Sequence, residues 1–276
     1  MRPDNTQGPG SAELQPHIRC RPGGVGRYVL LPGDPQRSAK IAAGFDGARL
    51  IAEHREFFTY TGDLLGARVS VTSTGIGGPS TAIAVEELAA IGADTFIRVG
   101  TCGGMQPDVR PGDLVIASAA IRDEGTSRQY LPLPFPAVAD PDVTLALRDA
   151  AREAGIPHHV GIVQSKDAFY AEWRPEQMPL ADELVARSAA WQRGGAIGSE
   201  MEAATIFVIA SVLGARAGAI MRTGGNPRLR AKGESVPPLD PPLEDLISIA
   251  IAGLRLLIER DRTAGRVGRG RPVPRA

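Results

Sequence analysis

The chain has 276 residues, enough to bury one large α/β core or two smaller ones. Its 31 Lys and Arg residues balance 31 Asp and Glu, and a net charge of zero excludes nucleic acid or an anionic membrane as a general partner. No apolar run reaches the ~18–20 residues of a membrane span, the N-terminus lacks a signal-peptide core, and two cysteines are too few for a disulfide framework, so the expected location is the cytoplasm.

Residues 1–14 read as a polar, disordered extension. His17 follows; from the residues alone an ordinary surface histidine is a better reading than a functional arm. Tyr28–Leu31 is a short apolar strand that runs into Pro32-Gly-Asp-Pro-Gln-Arg37 and a helical stretch to Ala43. Such a helix start favours anions through its free N–H groups. Arg49–Tyr60 reads as strand, polar interruption and strand; for His54-Arg55-Glu56 an exposed hairpin with a local ion pair is the better reading from the residues alone. Arg68–Ser73 alternates as a strand, Thr74–Ser80 is a glycine turn, and Thr81–Ala90 is a helix. The apolar run from Thr95 completes a βαβ pattern and predicts a parallel stretch of sheet. At its end, Arg98–Gly104 predicts a glycine-rich turn; binding of an anion, with Arg98 supplying fork-shaped positive charge, is a better reading than a tight structural turn alone.

Asp113–Ala120 is a further strand, and Arg122–Ala139 is a Pro-rich surface excursion. Pro141–Ala154 is a helix with proline at its start and glycine after its end. His158–Ser165 is a strand, and Lys166–Arg174 is a loop of aromatic and charged residues that suits a lid, a base-stacking surface or plain packing. Ala181–Arg193 is helical. Glu200 and Glu202 precede the apolar helix Ala203–Leu213; they are either first-turn caps or ligands for hydroxyl groups, being costly to bury unpaired. Ala215–Met221 is the last strand, ending at Arg222-Thr-Gly-Gly225. Arg228–Pro242 is polar and mobile, Leu243–Ile258 is an amphipathic closing helix, and Arg260–Ala276 is a basic, disordered tail. The class is therefore α/β, with a mixed sheet and helices on both faces. Arg37, Arg98 and Arg222 each lie near a strand end. No G-x-G-x-x-G follows a strand and no G-x-x-x-x-G-K-[ST] occurs, so neither a dinucleotide site nor a P-loop is expected.

As a set, Leu31-Pro-Gly-Asp-Pro-Gln-Arg37, His54-Arg-Glu-Phe57, Ser73-Thr-Gly-Ile-Gly-Gly-Pro-Ser80, Arg98-Val-Gly-Thr101, Phe169-Tyr170 and Glu200-Met-Glu202 resemble the uridine phosphorylase family of the nucleoside phosphorylase superfamily. The resemblance spans Gln15–Leu257. It implies a single domain, residues 15–259, with a central, barrel-like mixed sheet flanked by helices. The implied reaction is attack of phosphate on C1′ of a nucleoside, giving ribose 1-phosphate and free base, with no metal or organic cofactor in the chemical step. The implied phosphate site is Gly33, Arg37, Arg98 and Thr101 with Arg55 of a neighbouring subunit, and Arg98, Glu202 and Arg37 carry the catalysis. The ribose site is Glu200, Met201 and Glu202, with the neighbour's residue at His17. The base site comprises Cys102, Gly103, Phe169, Glu172, Arg174, Gln177 and Arg222. Glu56, Ile76 and Ser80 match an intersubunit potassium site. A dimer is the smallest unit with complete sites, and a hexamer of three dimers is the expected assembly.

The segment Phe169–Pro179 departs from the family pattern. The glutamine and arginine expected to read uracil fall at Glu172 and Gln177. An ionised carboxylate accepts hydrogen bonds and cannot donate to a carbonyl. Three expectations follow: weakened uridine binding, substitution by Arg174 or Gln177, or a carboxylate that reads the N–H-rich edge of a 6-oxopurine. Cys102 stands where threonine is common. A water-using nucleosidase would leave the arginine cluster without a purpose, and a non-catalytic nucleoside-binding protein is the alternative of a different class.

Overall fold

The structure, a computed structural model, describes residues 14–227, 229 and 242–266. The strands are β1 Tyr28–Leu31, β2 Asp46–His54, β3 Phe57–Leu64, β4 Ala67–Thr72, β5 Thr95–Gly104, β6 Leu114–Asp123, β7 Ala137–Val138, β8 His158–Lys166, β9 Gly198–Glu200 and β10 Arg216–Gly225. The helices are α1 Pro35–Ala42, α2 Gly78–Ala90, α3 Pro141–Glu153, α4 Phe169–Trp173, α5 Ala181–Arg193, α6 Ala203–Leu213 and α7 Glu244–Thr263. Strand order is β10-β6-β8-β9-β5-β1-β4-β3-β2, and β10 also pairs with β5. Strands β5, β10, β6, β8 and β9 therefore close into a five-stranded barrel, from which β1, β4, β3 and β2 extend as an open wing. The β1–β4, β1–β5, β5–β10, β6–β8 and β8–β9 pairs are parallel, and β2–β3, β3–β4, β5–β9 and β6–β10 are antiparallel. This is the mixed, barrel-like α/β fold expected.

Alternation along the strands divides the core in two. Val29, Leu31 and Phe96 pack with α2 and α6, whereas Tyr28, Leu30, Ile97 and Val99 pack with α1, α3 and α7. Successive side chains of a strand leave on opposite faces, so apolar runs such as Tyr28–Leu31 serve both layers. Helix starts are set locally. The Asp34 carboxylate accepts from Gln36 N and that of Asp140 from Asp142 N and Val143 N, and in each case proline follows at the first helical position.

Four local expectations are corrected. Arg98–Gly104 is not a turn: β5 runs unbroken to Gly104, because Gly103 and Gly104 are held in register by β9 and Gly103 also by β10. Glycine serves close approach there instead; a side-chain carbon at Gly100 would lie 2.8 Å from the Arg98 guanidinium. The aromatic loop after β8 contains the short helix α4, and β10 continues past Met221 to Gly225. The closing helix continues past Ile258 to Thr263, so the start of the expected tail is ordered. Asp261 holds it: buried, it accepts from Tyr28 Oη at 2.7 Å and pairs with Arg216 at 2.5 Å. The Pro-rich excursion is pinned by buried Arg122, which donates to the carbonyls of Ser127, Leu131, Pro132 and Phe135. The expected N-terminal extension to residue 13, most of Arg228–Pro242 and the tail beyond Arg266 lie outside the described residues. Among the described residues no helix is long and apolar enough to cross a membrane.

Candidate active site

Three strand ends meet beside the barrel. The β1–α1 and β4–α2 turns are tied together by Thr74 N donating to Pro32 O at 2.9 Å. Gly33 sits so close to the second turn that a side-chain carbon there would lie 3.0 Å from Gly75 O. Arg37, in the first turn of α1, is buried and donates from Nη1 to Val99 O of β5 at 3.1 Å. Parallel pairing of β1 with both β4 and β5 thus brings Gly33, Arg37 and Arg98 into one neighbourhood at the carboxyl ends of the strands, where α/β sheets bind ligands.

Arg98 is the centre of the cluster. It is buried, with Nε 2.7 Å from Glu200 Oε2 and Nη2 2.5 Å from Glu202 Oε2. Burial opposes its charge, but the two carboxylates outweigh this and hold its pKa above the usual arginine value. Glu200 is committed to the chain. Its carboxylate accepts from Glu202 N at 2.8 Å, Ala203 N at 3.0 Å and the Ser165 hydroxyl, which caps α6. Glu202 instead faces the β4–α2 turn, where Oε1 accepts from Gly77 N at 2.5 Å. Gly77 has φ +93°, a conformation that turns its N–H toward the carboxylate and that residues with side chains rarely adopt. Of the two sequence readings, the cap therefore belongs to Glu200. Burial, with the charge of Glu200 adding to it, pushes the Glu202 carboxyl above its ordinary range, although Arg98 and Gly77 N–H oppose this.

The other expected site residues fall around this cluster. Met201 is half-buried between the two glutamates. Thr101 is half-buried and alternates to the other face of β5 from Arg98, in register with Arg222. Arg55 is exposed at the β2–β3 tip, in the left-handed region at φ +55°. His17 is held within its own chain. Its Nδ1 lies 2.5 Å from Glu87 Oε1, and Glu87 also accepts from the backbone N–H groups of His17 and Ile18. Glu56 and Ser80 both border Gly75: a side-chain carbon there would meet Glu56 Cγ at 3.0 Å and Ser80 Oγ at 3.4 Å. Ser80 Oγ is buried without a hydrogen-bond partner among the described residues, and Ile76 beside it is 78 % exposed. An orphaned hydroxyl and a carboxylate are hard oxygen donors that fit an alkali cation.

The base end lies around α4. Phe169 stacks on Trp173 with ring centroids 6.0 Å apart, and Phe169 and Tyr170 are exposed. Arg174 is exposed over the Tyr170 ring, and Gln177 is exposed on the next turn. Arg222 turns away to Asp245 of α7 at 3.1 Å. Cys102 is buried, which pushes its thiol up to about 12, so it serves as a small apolar group rather than a nucleophile. Glu172 lines a cavity of about 220 Å³ with Asp123, Gln164, Lys166, Arg187 and Trp191. A polar chain crosses that wall: Lys166 Nζ donates to Ser199 Oγ at 2.5 Å, Ser199 Oγ to Gln164 Oε1 at 2.7 Å, and Gln164 Nε2 to Asp123 Oδ2 at 2.8 Å. Lys166 Nζ is also 3.4 Å from Glu172 Oε2. No motif in the sequence singles out Gln164, Ser165 or Ser199, and Lys166 reads there only as the first residue of the aromatic and charged loop. The period of β8 was the available signal, since Ser165 and its two neighbours leave the strand on opposite faces.

Residues 27–236 match the family model described as the phosphorylase superfamily. A uridine phosphorylase of Treponema pallidum is 48% identical over 252 residues, 91% of this chain and 97% of that protein. One from Thermococcus kodakarensis is 50% identical over 82% of this chain and 80% of its own length. A guanosine phosphorylase of Halorubrum lacusprofundi is 42% identical over 77% of this chain and 83% of its own. With the barrel, the converging glycine turns and the carboxylate-bound arginine already in place, these matches decide the family: the chain belongs to the phosphorylase superfamily.

Proposed function

We propose that this enzyme is a uridine phosphorylase, which transfers the ribosyl group of uridine to phosphate and releases uracil. The observation that carries the reading is the buried guanidinium of Arg98, shared by Glu200 and Glu202 where the β1–α1 and β4–α2 turns meet. Relatives named uridine phosphorylase support the substrate at 48% and 50% identity. The relative named guanosine phosphorylase matches less of the chain and at lower identity, so a purine substrate is the weaker reading.

In this reading Arg37 and Arg98 hold phosphate against the turn at Gly33, with Thr101 at the strand end. Fork-shaped donors fix the anion bidentately and keep it in line with C1′, which replaces an entropic cost with geometry. Each Glu202 oxygen retains a lone pair beyond its contact to Gly77 or Arg98, enough to accept from ribose hydroxyls. Its negative charge favours the oxocarbenium-like transition state as the C1′–N1 bond lengthens. Met201 packs beneath the sugar and Phe169 against the base.

A second copy of the chain completes the site, contributing Arg55 to phosphate and His17 to the 5′-hydroxyl. The exposure of Arg55 and Ile76 supports a face that is covered by another copy. A dimer is the working unit and three dimers form the hexamer. Glu56, Ser80 and the backbone at Ile76 would hold potassium between copies, where the cation offsets carboxylate charge and takes no part in the bond changes.

The test is release of uracil and ribose 1-phosphate from uridine, measured with and without phosphate and beside thymidine, inosine, guanosine and adenosine. Phosphate-dependent cleavage that favours uridine is the expected result. Base release indifferent to phosphate would mean hydrolysis instead, and a strong preference for guanosine or inosine would overturn the uridine assignment.

A further inference from the structure

Breaking the bond between ribose and a pyrimidine leaves an electron pair on the base. As a phosphate oxygen bonds to C1′, the C1′–N1 pair stays with N1 and spreads onto the two ring carbonyls. The attacking hydrogenphosphate gives up its own proton to solvent as the sugar ester forms, and solvent passes a proton to N1 to make neutral uracil. A site that aims a cationic donor at one carbonyl lowers the barrier, because the charge it meets exists only as the bond breaks. Around α4 neither position of the expected uracil-reading pair supplies a cation: Glu172 and Gln177 carry no positive charge, and Arg174 is exposed over Tyr170.

The structure brings a cation in from β8. Lys166 is the last residue of that strand, and its side chain is 12 % exposed. Nζ reaches across to Ser199 Oγ at 2.5 Å and lies 3.4 Å from Glu172 Oε2. Ser199 is paired in the sheet with Gly103, so Lys166 spans from the strand beside the expected base contact to the helix that carries Phe169. It also lines the cavity of about 220 Å³, together with Glu172. An ammonium has three donors. Ser199 takes one, Glu172 draws a second, and a third is left for an incoming acceptor.

We propose that Lys166 carries the leaving-group charge: its third N–H meets a carbonyl of the departing base while Glu172 accepts from the ring N3–H. The pair sets a donor beside an acceptor, the complement of a pyrimidine's carbonyl and N–H edge. It also answers the problem that Glu172 poses alone, since a lone carboxylate would repel both carbonyls. The inference rests on the pyrimidine reading of the site.

The test compares uridine with 5-fluorouridine, whose fluorine acidifies the base so that it departs with less help. In Lys166→Met, kcat for uridine falls about 10²-fold, as for loss of one charge-stabilising donor, and kcat for 5-fluorouridine falls clearly less. Lys166→Arg retains most of the uridine rate. Equal losses on the two substrates, or an arginine variant no better than methionine, would mean that Lys166 only supports the fold, and the inference would fall. Lys166→Gln, which keeps a donor for Ser199 without the charge, carries the same comparison if the methionine variant does not fold. A wild-type enzyme that cleaves neither pyrimidine nucleoside in phosphate would overturn the uridine reading, and this inference with it.

Discussion

Glu200 and Glu202 lie on the same guanidinium, yet Glu200 makes more of the backbone contacts that hold the chain together. Arg98 sits 2.7 Å from one carboxylate and 2.5 Å from the other, so a single positive charge faces two buried negative ones. Glu200 in addition caps α6 through the N–H groups of Glu202 and Ala203, whereas Glu202 makes one backbone contact, to Gly77. The two positions therefore respond oppositely to loss of charge.

Glu202→Gln should abolish turnover while leaving the melting temperature unchanged or raised. A carboxyl whose pKa is raised in the fold contributes most stability when protonated, below its unfolded value of about 4.3, and that contribution is lost as pH rises through the folded value. The gain of the variant over wild type should thus appear near neutral pH and shrink in acid. Glu200→Gln should melt lower than wild type at neutral pH, because an amide nitrogen would face the cap N–H groups, a loss of about 1–2 kcal/mol. Melts of both variants without substrate, beside steady-state rates, check the pair. A stabilised Glu200→Gln would contradict the division of roles.

Arg98→Met should destabilise by about 3–5 kcal/mol, since it strands two buried carboxylates. Adding Glu202→Gln should recover part of that loss, leaving one stranded charge rather than two, so the double variant should fall short of the sum of its parts. Activity should not return with stability, and phosphate should no longer saturate the enzyme. Urea unfolding of the four proteins in the cycle and the phosphate dependence of their rates are the measurements.

Much of this was legible in the residues, for physical reasons that can be named. The strand, glycine turn and helix units around Gly33 and Gly77 are local, and local chemistry writes them. What was not legible depends on pairing across the barrel. Arg98–Gly104 has the composition of a turn, but β9 and β10 hold its glycines in a strand. Lys166 looked like the start of a loop, because only the fold places Ser199 and Glu172 within its reach. Asp261 looked like part of a basic tail, because its partners, Tyr28 and Arg216, are 233 and 45 residues away.

Mixed oligomers test whether the sites are shared. Arg37 is buried within its own subunit, whereas Arg55 is exposed at a hairpin tip. If Arg55 serves a neighbour, Arg37→Ala and Arg55→Ala subunits are each inactive alone, and random mixing in a dimer gives some sites with both arginines intact. Refolding the two variants together should recover about a quarter of the wild-type rate, since half the dimers are mixed and each of these has one intact site. Activity no higher than the two separate backgrounds would place Arg55 outside the site.

Asp261 should set the acid limit of the closing helix. Burial alone would raise its carboxyl, but the hydrogen bonds from Arg216 and Tyr28 outweigh it and hold the group below the usual carboxylate range, while burial and Asp261 push the Tyr28 phenol up to about 12. A depressed carboxylate contributes stability that is present above the unfolded value of about 3.9 and is lost as pH falls through the folded one. Asp261→Asn should therefore melt below wild type at neutral pH, by about 2 kcal/mol for one hydrogen-bonded charge, and the difference should close as pH drops below 4. A chain cut after Glu259 loses the same anchor between α7, β1 and β10, and should melt lower still at neutral pH because it also loses Arg260 and its contact to Asp149. Thermal melts of the three proteins from pH 7 to 3 read the effect; a gap between wild type and Asp261→Asn that widened in acid would show that the carboxylate is not held ionised by Arg216.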